Sequence, residues 1–259
     1  MSISIALAQL DLKQGIPHEN LQKVQKVVRK TAEQGADLVL LPELWASGFD
    51  LERSSEYASV LNEGWFARMR ELASENAIGV GGSLIEEDQG EYFNTFAIYG
   101  GDGKFLGSYR KIHLFQKLDE HLHFSGGKRI VVLDSPWGRI GLAICYDLRF
   151  PEIFRSCAVN GAELILLVAE WPLRRIEDWK ILLQARAIEN QCYIAAVNKV
   201  GTSEGAALGG TSAVINPRGE IMIQGSEKEE LLHTDFSLVE VSKIRDWMPV
   251  LEDRRPGIY

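Results

Sequence analysis

The chain has 259 residues, of which 46% are hydrophobic and 25% charged. That is the composition of a globular protein able to bury a sizeable core as one large domain or two small ones. Acidic side chains (36) outnumber basic ones (28), so the formal charge is −8 and there is no basic footprint for nucleic acid or an anionic membrane. No apolar run approaches the ~20 residues that cross a bilayer, and the first residues lack the pattern of a secretory signal, so the expectation is small-molecule chemistry in the cytoplasm.

Residues 2–10 alternate, with Ile3, Ile5 and Leu7 on one face, the two-residue period of a strand. Over residues 19–33 the period changes. Leu21, Val24, Val28 and Ala32 predict an amphipathic helix whose stripe packs on the strand layer, ended at Gly35. The unbroken run Leu38-Val39-Leu40-Leu41 predicts a strand buried on both faces and stopped by Pro42, with Glu43 at its mouth. A helix over 63–75 follows, then three antiparallel strands at 78–85, 92–99 and 105–109, separated by Gly- and Asp-containing turns.

Beyond the polar stretch 116–128, strands at 130–133 and 139–144 flank the hairpin Ser135-Pro136-Trp137-Gly138, and Cys145 is the next residue. Pro151 suits the first turn of a helix reaching about residue 160, and 164–168 is another buried strand. Residues 179–190 read as a helix with Ile181, Ala185 and Ile188 on one face, followed by a strand at 193–197. Short strands near 212–215 and 221–224 are joined by Asn216-Pro217-Arg218-Gly219. With no repeat, low-complexity tract or linker, this order predicts one α/β domain over 1–259, its sheets covered by helices rather than doubly wound and purely parallel.

Three cysteines occur, Cys145, Cys157 and Cys192, without CxxC spacing, which argues against a disulfide framework or a structural zinc site. Cys145 ends an apolar strand and precedes a helix, a placement that exposes a nucleophile to helix-terminal N–H groups; the alternative is a small buried hydrophobe. Cys157, inside a helix, and Cys192, at the start of a strand, read as core packing. Glu43 is either a desolvated base at the mouth of a buried strand or an exposed loop carboxylate. Lys111, after a strand, is either functional or a solvated cation. His121 and His123 lie two residues apart with no further ligand cluster, so they read as loop histidines rather than metal ligands.

Taken together, Leu40-Leu41-Pro42-Glu43-Leu44-Trp45, Tyr109-Arg110-Lys111-Ile112-His113-Leu114-Phe115 and Gly141-Leu142-Ala143-Ile144-Cys145-Tyr146-Asp147-Leu148-Arg149-Phe150-Pro151-Glu152 resemble the three signature blocks of the nitrilase (carbon–nitrogen hydrolase) superfamily in order and spacing. Leu183-Gln184-Ala185-Arg186-Ala187-Ile188-Glu189-Asn190-Gln191 and Asp253-Arg254-Arg255-Pro256 extend the resemblance over nearly the whole chain. It implies an α-β-β-α sandwich and a catalytic Glu43, Lys111 and Cys145 triad. The family's second glutamate maps onto Glu120, beside Asp119, where it would hold Lys111 in place.

In that chemistry Glu43 takes the thiol proton, Cys145 attacks the amide carbon, and Lys111 with the backbone N–H of Tyr146 stabilises the oxyanion. The thioester is then hydrolysed by water that Glu43 deprotonates, without metal or organic cofactor. The resemblance is nearest to the omega-amidase-like branch, which releases ammonia from short dicarboxylate monoamides; Glu170-Trp171-Pro172 departs from the Asn-Trp-Pro usual there. N-carbamoyl amino acid hydrolysis, nitrile hydrolysis, a metal-dependent amidohydrolase and a non-catalytic scaffold are the alternatives. A homodimer or larger homo-oligomer is expected, with Phe150, Ile153, Phe154 and Trp179 as its interface core and Arg149, Arg155 and Arg186 at its rim.

Overall fold

The computed structural model describes residues 2–258; Met1 and Tyr259, the ends of the expected 1–259 domain, lie outside them. In chain order the elements are β1 (Ser2–Gln9), α1 (Pro17–Glu33), β2 (Leu38–Leu40), α2 (Ser54–Tyr57), α3 (Gly64–Asn76), β3 (Gly79–Asp88), β4 (Glu91–Tyr99) and β5 (Phe105–Arg110). Next come α4 (Glu120–His123), β6 (Val132–Ser135), β7 (Gly138–Ile144), α5 (Pro151–Val159), β8 (Leu164–Ala169), α6 (Ile176–Asn190) and β9 (Tyr193–Asn198). The chain closes with β10 (Thr202–Ser203), β11 (Ala206–Ala207), β12 (Ala213–Ile215), β13 (Ile221–Gln224), β14 (Glu230–Ser237) and α7 (Val239–Trp247).

Two six-stranded sheets, ordered β14-β1-β2-β3-β4-β5 and β13-β12-β9-β8-β7-β6, lie face to face, and β10 with β11 forms a small separate hairpin. Pairing is parallel between β1, β2 and β3 and between β7, β8 and β9, and antiparallel elsewhere. The pleat accounts for the layering. Ile3, Ile5 and Leu7 of β1 and Leu38 and Leu40 of β2 enter the core between the sheets, while Ala6, Ala8 and Val39 turn to the other face, under α1 and α3. On the second sheet, Ile153, Phe154 and Cys157 of α5 and Trp179 and Leu183 of α6 pack the helices onto the sheet and belong to the same continuous hydrophobic cluster. The α-β-β-α sandwich is therefore present, and the doubly buried strand at Leu38–Leu40 is where the apolar run places it.

Contacts are close where α5 crosses β7. A Cβ on Gly141 would lie 2.9 Å from Cys157 Sγ, so the helix packs directly against a bare stretch of strand.

Two helix faces differ from the sequence reading. In α1, Asn20 and Thr31 are buried while Leu21 and Ala32 are only partly covered. Asn20 is accommodated because it donates to the carbonyls of Lys13 and Ala46 and accepts the Lys13 N–H, tying two loops to the helix. In α6 the difference is larger. Ile181 and Ile188 are 64% and 52% exposed, and the helix instead buries Trp179, Leu183, Arg186, Ala187 and Asn190. Arg186 can be buried because its guanidinium bonds the Leu148 carbonyl at 2.8 and 3.2 Å and Glu189 at 3.0 Å.

Burial within the chain also corrects part of the expected subunit interface. Ile153, Phe154, Trp179 and Arg186 are consumed inside this chain and offer nothing to a partner. Strand β14 and helix α7 were not predicted: the β14 sequence alternates weakly, yet it pairs with β1 over eight residues and closes that sheet.

The Gly141–Cys157 contact generates a stability prediction. Cys157→Ala should lose about 1 kcal/mol of unfolding free energy by denaturant titration and keep its turnover. A well-folded but inactive Cys157→Ala protein would contradict the assignment of this thiol to packing.

Candidate active site

Four strand ends meet at one edge of the sandwich. β2 runs out at Leu40, and the chain turns at Glu43 because Leu44 adopts a left-handed conformation (φ 44°) with its N–H on the Ser83 hydroxyl at 2.8 Å. β5 ends at Arg110, so Lys111 follows it, its own N–H bonded to the Asn94 carbonyl of β4. β7 ends at Ile144, and Cys145 takes φ 43°, a strained conformation for a residue with a side chain, at the start of the 3-10 turn Cys145–Arg149. β8 ends at Ala169, which presents the Glu170 N–H.

These ends bring the predicted residues together. The Lys111 ammonium, 1% exposed, donates to Glu43 Oε1 at 2.8 Å and to both Glu120 oxygens at 2.8 and 2.9 Å. Glu43 Oε1 also accepts from Asn94 Nδ2 at 2.8 Å, and its Oε2 accepts the Glu170 N–H at 2.9 Å. Glu120 is fully buried and takes the Phe115 N–H at 2.7 Å, whereas the adjacent Asp119 is exposed. Tyr146 is the second residue of the 3-10 turn, so its N–H belongs to the first turn, which has no partner within that turn.

The electrostatics follow from burial and pairing. Desolvation raises the Glu43 carboxyl above its ordinary value, Lys111 pulls against it, and the neighbouring Glu120 charge adds to the rise. Burial alone would lower Lys111, but the Glu120 and Glu43 carboxylates outweigh it and hold the ammonium well above the ordinary lysine range. Burial pushes the Cys145 thiol well up, and Glu43 adds to this against the pull of Lys111 and the Glu170 N–H. At neutral pH the resting sulfur is therefore a thiol beside a proton acceptor, not a free thiolate.

Cys145 and Lys111 open onto a cavity of about 720 Å³, with Glu43 and Glu120 fully buried behind them. Phe49, Phe115, Tyr146 and Trp171 supply apolar wall, and besides Lys111 the charged part of the lining is Lys117, Arg149, Arg174, Arg175, Glu170, Asp178 and Glu204. Arg149 bonds Asp178 at 2.8 Å, holding that carboxyl below its usual range, and its guanidinium lies 4.9 Å from the Trp171 ring. Among the described residues no group of three or more His, Cys, Asp and Glu could hold a metal ion. His121 is exposed, and His123 lies 3.7 Å from Glu52.

With this geometry in view, the relatives can be placed. Residues 4–246 match the carbon–nitrogen hydrolase family. The chain belongs to that family. It is 35% identical over 260 residues to 2-oxoglutaramate amidase of Bacillus subtilis (strain 168), covering 100% of each chain. It is 33% identical over 268 residues to omega-amidase NIT2 of Homo sapiens, covering 100% of this chain and 97% of that one. Its structure matches XC1258 from Xanthomonas campestris, a CN-hydrolase superfamily protein with an arsenic adduct in its active site, at TM-score 0.92 with 32% identity and 98% of each chain covered. These relatives place this carbon–nitrogen hydrolase in the omega-amidase branch of the nitrilase superfamily.

Sequence reasoning missed three residues of the site. Asn94 is a polar residue at an inward position of an apolar strand, and that misplacement was its signal. Lys199 is a charged residue directly after the buried run of β9. Asp147, two positions after Cys145 and fully buried, accepts the Tyr109 hydroxyl at 2.7 Å, the Ile144 N–H at 3.0 Å, and the His113 N–H and Nδ1 at 3.1 and 2.9 Å. It thereby pins the turn that carries the cysteine.

Asp147→Ala would leave those donors without an acceptor, at about 1–3 kcal/mol each. Denaturant unfolding should show a loss above about 3 kcal/mol together with lost turnover. Unchanged stability and activity would remove Asp147 as the anchor of the turn.

Proposed function

We propose that this carbon–nitrogen hydrolase is an omega-amidase that cleaves the unsubstituted amide of a short dicarboxylate monoamide through a thioester on Cys145. The observation that carries the reading is the Lys111 ammonium held at 2.8 Å from Glu43 and from Glu120 while opening, with Cys145, onto one cavity. Glu43, its proton affinity raised by burial, takes the thiol proton as the sulfur attacks the amide carbon. The oxyanion forms against the Lys111 ammonium and the Tyr146 N–H, where a well-placed donor is worth about 3–4 kcal/mol. Glu43 returns its proton to the leaving ammonia, then deprotonates the water that opens the thioester.

The substrate class rests on charge. In a chain of net charge −8, the cavity sets Lys111, Lys117, Arg149, Arg174 and Arg175 against Glu170, Asp178 and Glu204, a cationic excess suited to the distal carboxylate of such an amide. Curated relatives named 2-oxoglutaramate amidase and omega-amidase support the same class. All three cysteines are free thiols, in keeping with a reducing compartment such as the cytoplasm.

The reading extends to a homodimer. Exposed Ile181 and Ile188 lie seven residues apart on α6, and exposed Val159 ends α5, so the apolar stripe that does not pack inside the chain is available to a second copy.

Cys145→Ala should abolish ammonia release from short ω-amides while the protein stays folded by circular dichroism, and Lys111→Ala should lower kcat by at least about 100-fold even on an activated ester. Substantial turnover in either would remove that residue from its role. Across a panel of short ω-amides, N-carbamoyl amino acids and nitriles, ω-amides should give the highest kcat/KM; a preference for either other class would displace the substrate assignment. The acid limb of the kcat/KM profile should lie above the ordinary carboxylate range, because it reports protonation of a buried Glu43. Ile181→Glu should shift the particle toward monomer in light scattering, and a wild-type monomer at micromolar concentration would overturn the dimer.

A further inference from the structure

Among the described residues, one ion pair besides those of Lys111 is buried on both sides. Lys199 Nζ lies 3.3 Å from Glu170 Oε1, and each side chain is 1% exposed. As a purely structural device the pair is poor. Two charges removed from water are compensated only by close geometry and complete hydrogen bonding, and an apolar replacement is often neutral or stabilising. Here the contact is longer than the 2.8 Å bonds of Lys111, and Glu170 Oε2 is buried with no protein partner.

What the pair holds is one peptide group. The amide joining Ala169 to Glu170 donates its N–H to Glu43 Oε2 at 2.9 Å, and its carbonyl accepts the Lys199 N–H at 3.2 Å. The same Glu170 N–H faces the Cys145 sulfur closely enough to oppose the rise in its thiol pKa. Lys199 therefore grips residue 170 at both main chain and side chain. Asn198 braces the arrangement, its Oδ1 accepting the N–H of Trp171 at 2.7 Å and of Lys199 at 2.9 Å. The loop that leaves Glu43 closes over the cation, since a Cβ on Gly48 would lie 3.3 Å from Lys199 Nζ.

We propose that Glu170 and Lys199 are a positioning pair for the amidase chemistry: Lys199 fixes Glu170 so that its peptide N–H stays on the Glu43 carboxylate and the Cys145 sulfur, and the fixed carboxylate bears on the proton that passes between them. The inference rests on the reading of Glu43 as base and Cys145 as nucleophile. Glu43 is faced by Lys111 after β5, Glu120 on α4, Asn94 on β4, Cys145 after β7 and Glu170 after β8. Three carboxylates against two ammonium groups leave this cluster one negative charge in excess while Cys145 is a thiol. The Glu170 charge therefore favours the proton on Glu43, which makes Glu43 the stronger base for the thiol.

Two variants separate this role from simple support of the fold. Glu170→Gln deletes the charge and leaves Lys199 without a counter-ion, so it should lose stability as well as rate. The double variant Glu170→Gln/Lys199→Met removes both charges and should recover stability relative to the single one. Both should still show kcat lowered about tenfold with KM within about twofold of wild type. In Glu170→Gln, which brings the cluster to equal charge, the acid limb of kcat/KM, and with it the pH dependence of iodoacetamide alkylation at Cys145, should move to lower pH, and in the double variant, which keeps one negative charge in excess, it should move less. A double variant with wild-type kcat would overturn the proposal, even if the single variant failed to fold. Failure of the underlying reading would look different: Cys145→Ala or Glu43→Gln would then retain turnover whatever residue 170 carries.

Discussion

A lysine ammonium shut away from water between two carboxylates is the constraint on which the site depends. Lys111 reaches Glu43 and Glu120 at hydrogen-bonding distance with almost no exposed surface. Removing either acid would leave a buried charge short of its partner, the costly half of any buried ion pair. The sandwich makes the arrangement possible. Glu43 and Lys111 come from the ends of strands in one sheet, and Cys145 and the Glu170 N–H from the ends of strands in the other, so the four groups meet only where the two sheets face each other.

That placement also sets the resting state. A buried cysteine between a carboxylate and an ammonium could sit as thiol or thiolate, and here burial and the Glu43 charge outweigh Lys111. Under the proposed mechanism the sulfur keeps its proton until a substrate carbonyl gives the developing charge somewhere to go. The strained backbone at Cys145, held down by the Asp147 bonds, aims the sulfur into the cavity, and the stability spent there is offset by the extensive core between the sheets.

Much of this was legible in the sequence wherever one periodicity governed one element. The alternation at Ile3, Ile5 and Leu7 and the unbroken run before Pro42 gave β1 and β2 their places, and the position of Cys145 at a strand end was visible without any partner. What stayed hidden depended on contacts distant in the chain. Asn94 lies 51 residues from the Glu43 it bonds, and Asp147 lies 38 from Tyr109. The inward face of α6 was misread because Arg186 is polar by composition yet buried by the Leu148 carbonyl it satisfies, so apolar spacing pointed to Ile181 and Ile188 instead. Helix periodicity records where apolar residues fall, and it cannot tell a core from a surface that awaits a second chain.

The most direct test of the account is the covalent state of Cys145 during turnover. Wild-type enzyme mixed with a short ω-amide, quenched in acid within one turnover and digested for peptide mass spectrometry should carry, on the peptide containing Cys145, the mass of the substrate less ammonia. The peptides containing Cys157 and Cys192 should be unmodified. Ammonia released in the first turnover with no acyl group on Cys145 at any quench time would contradict the thioester, and with it the role assigned to the buried lysine and its two carboxylates.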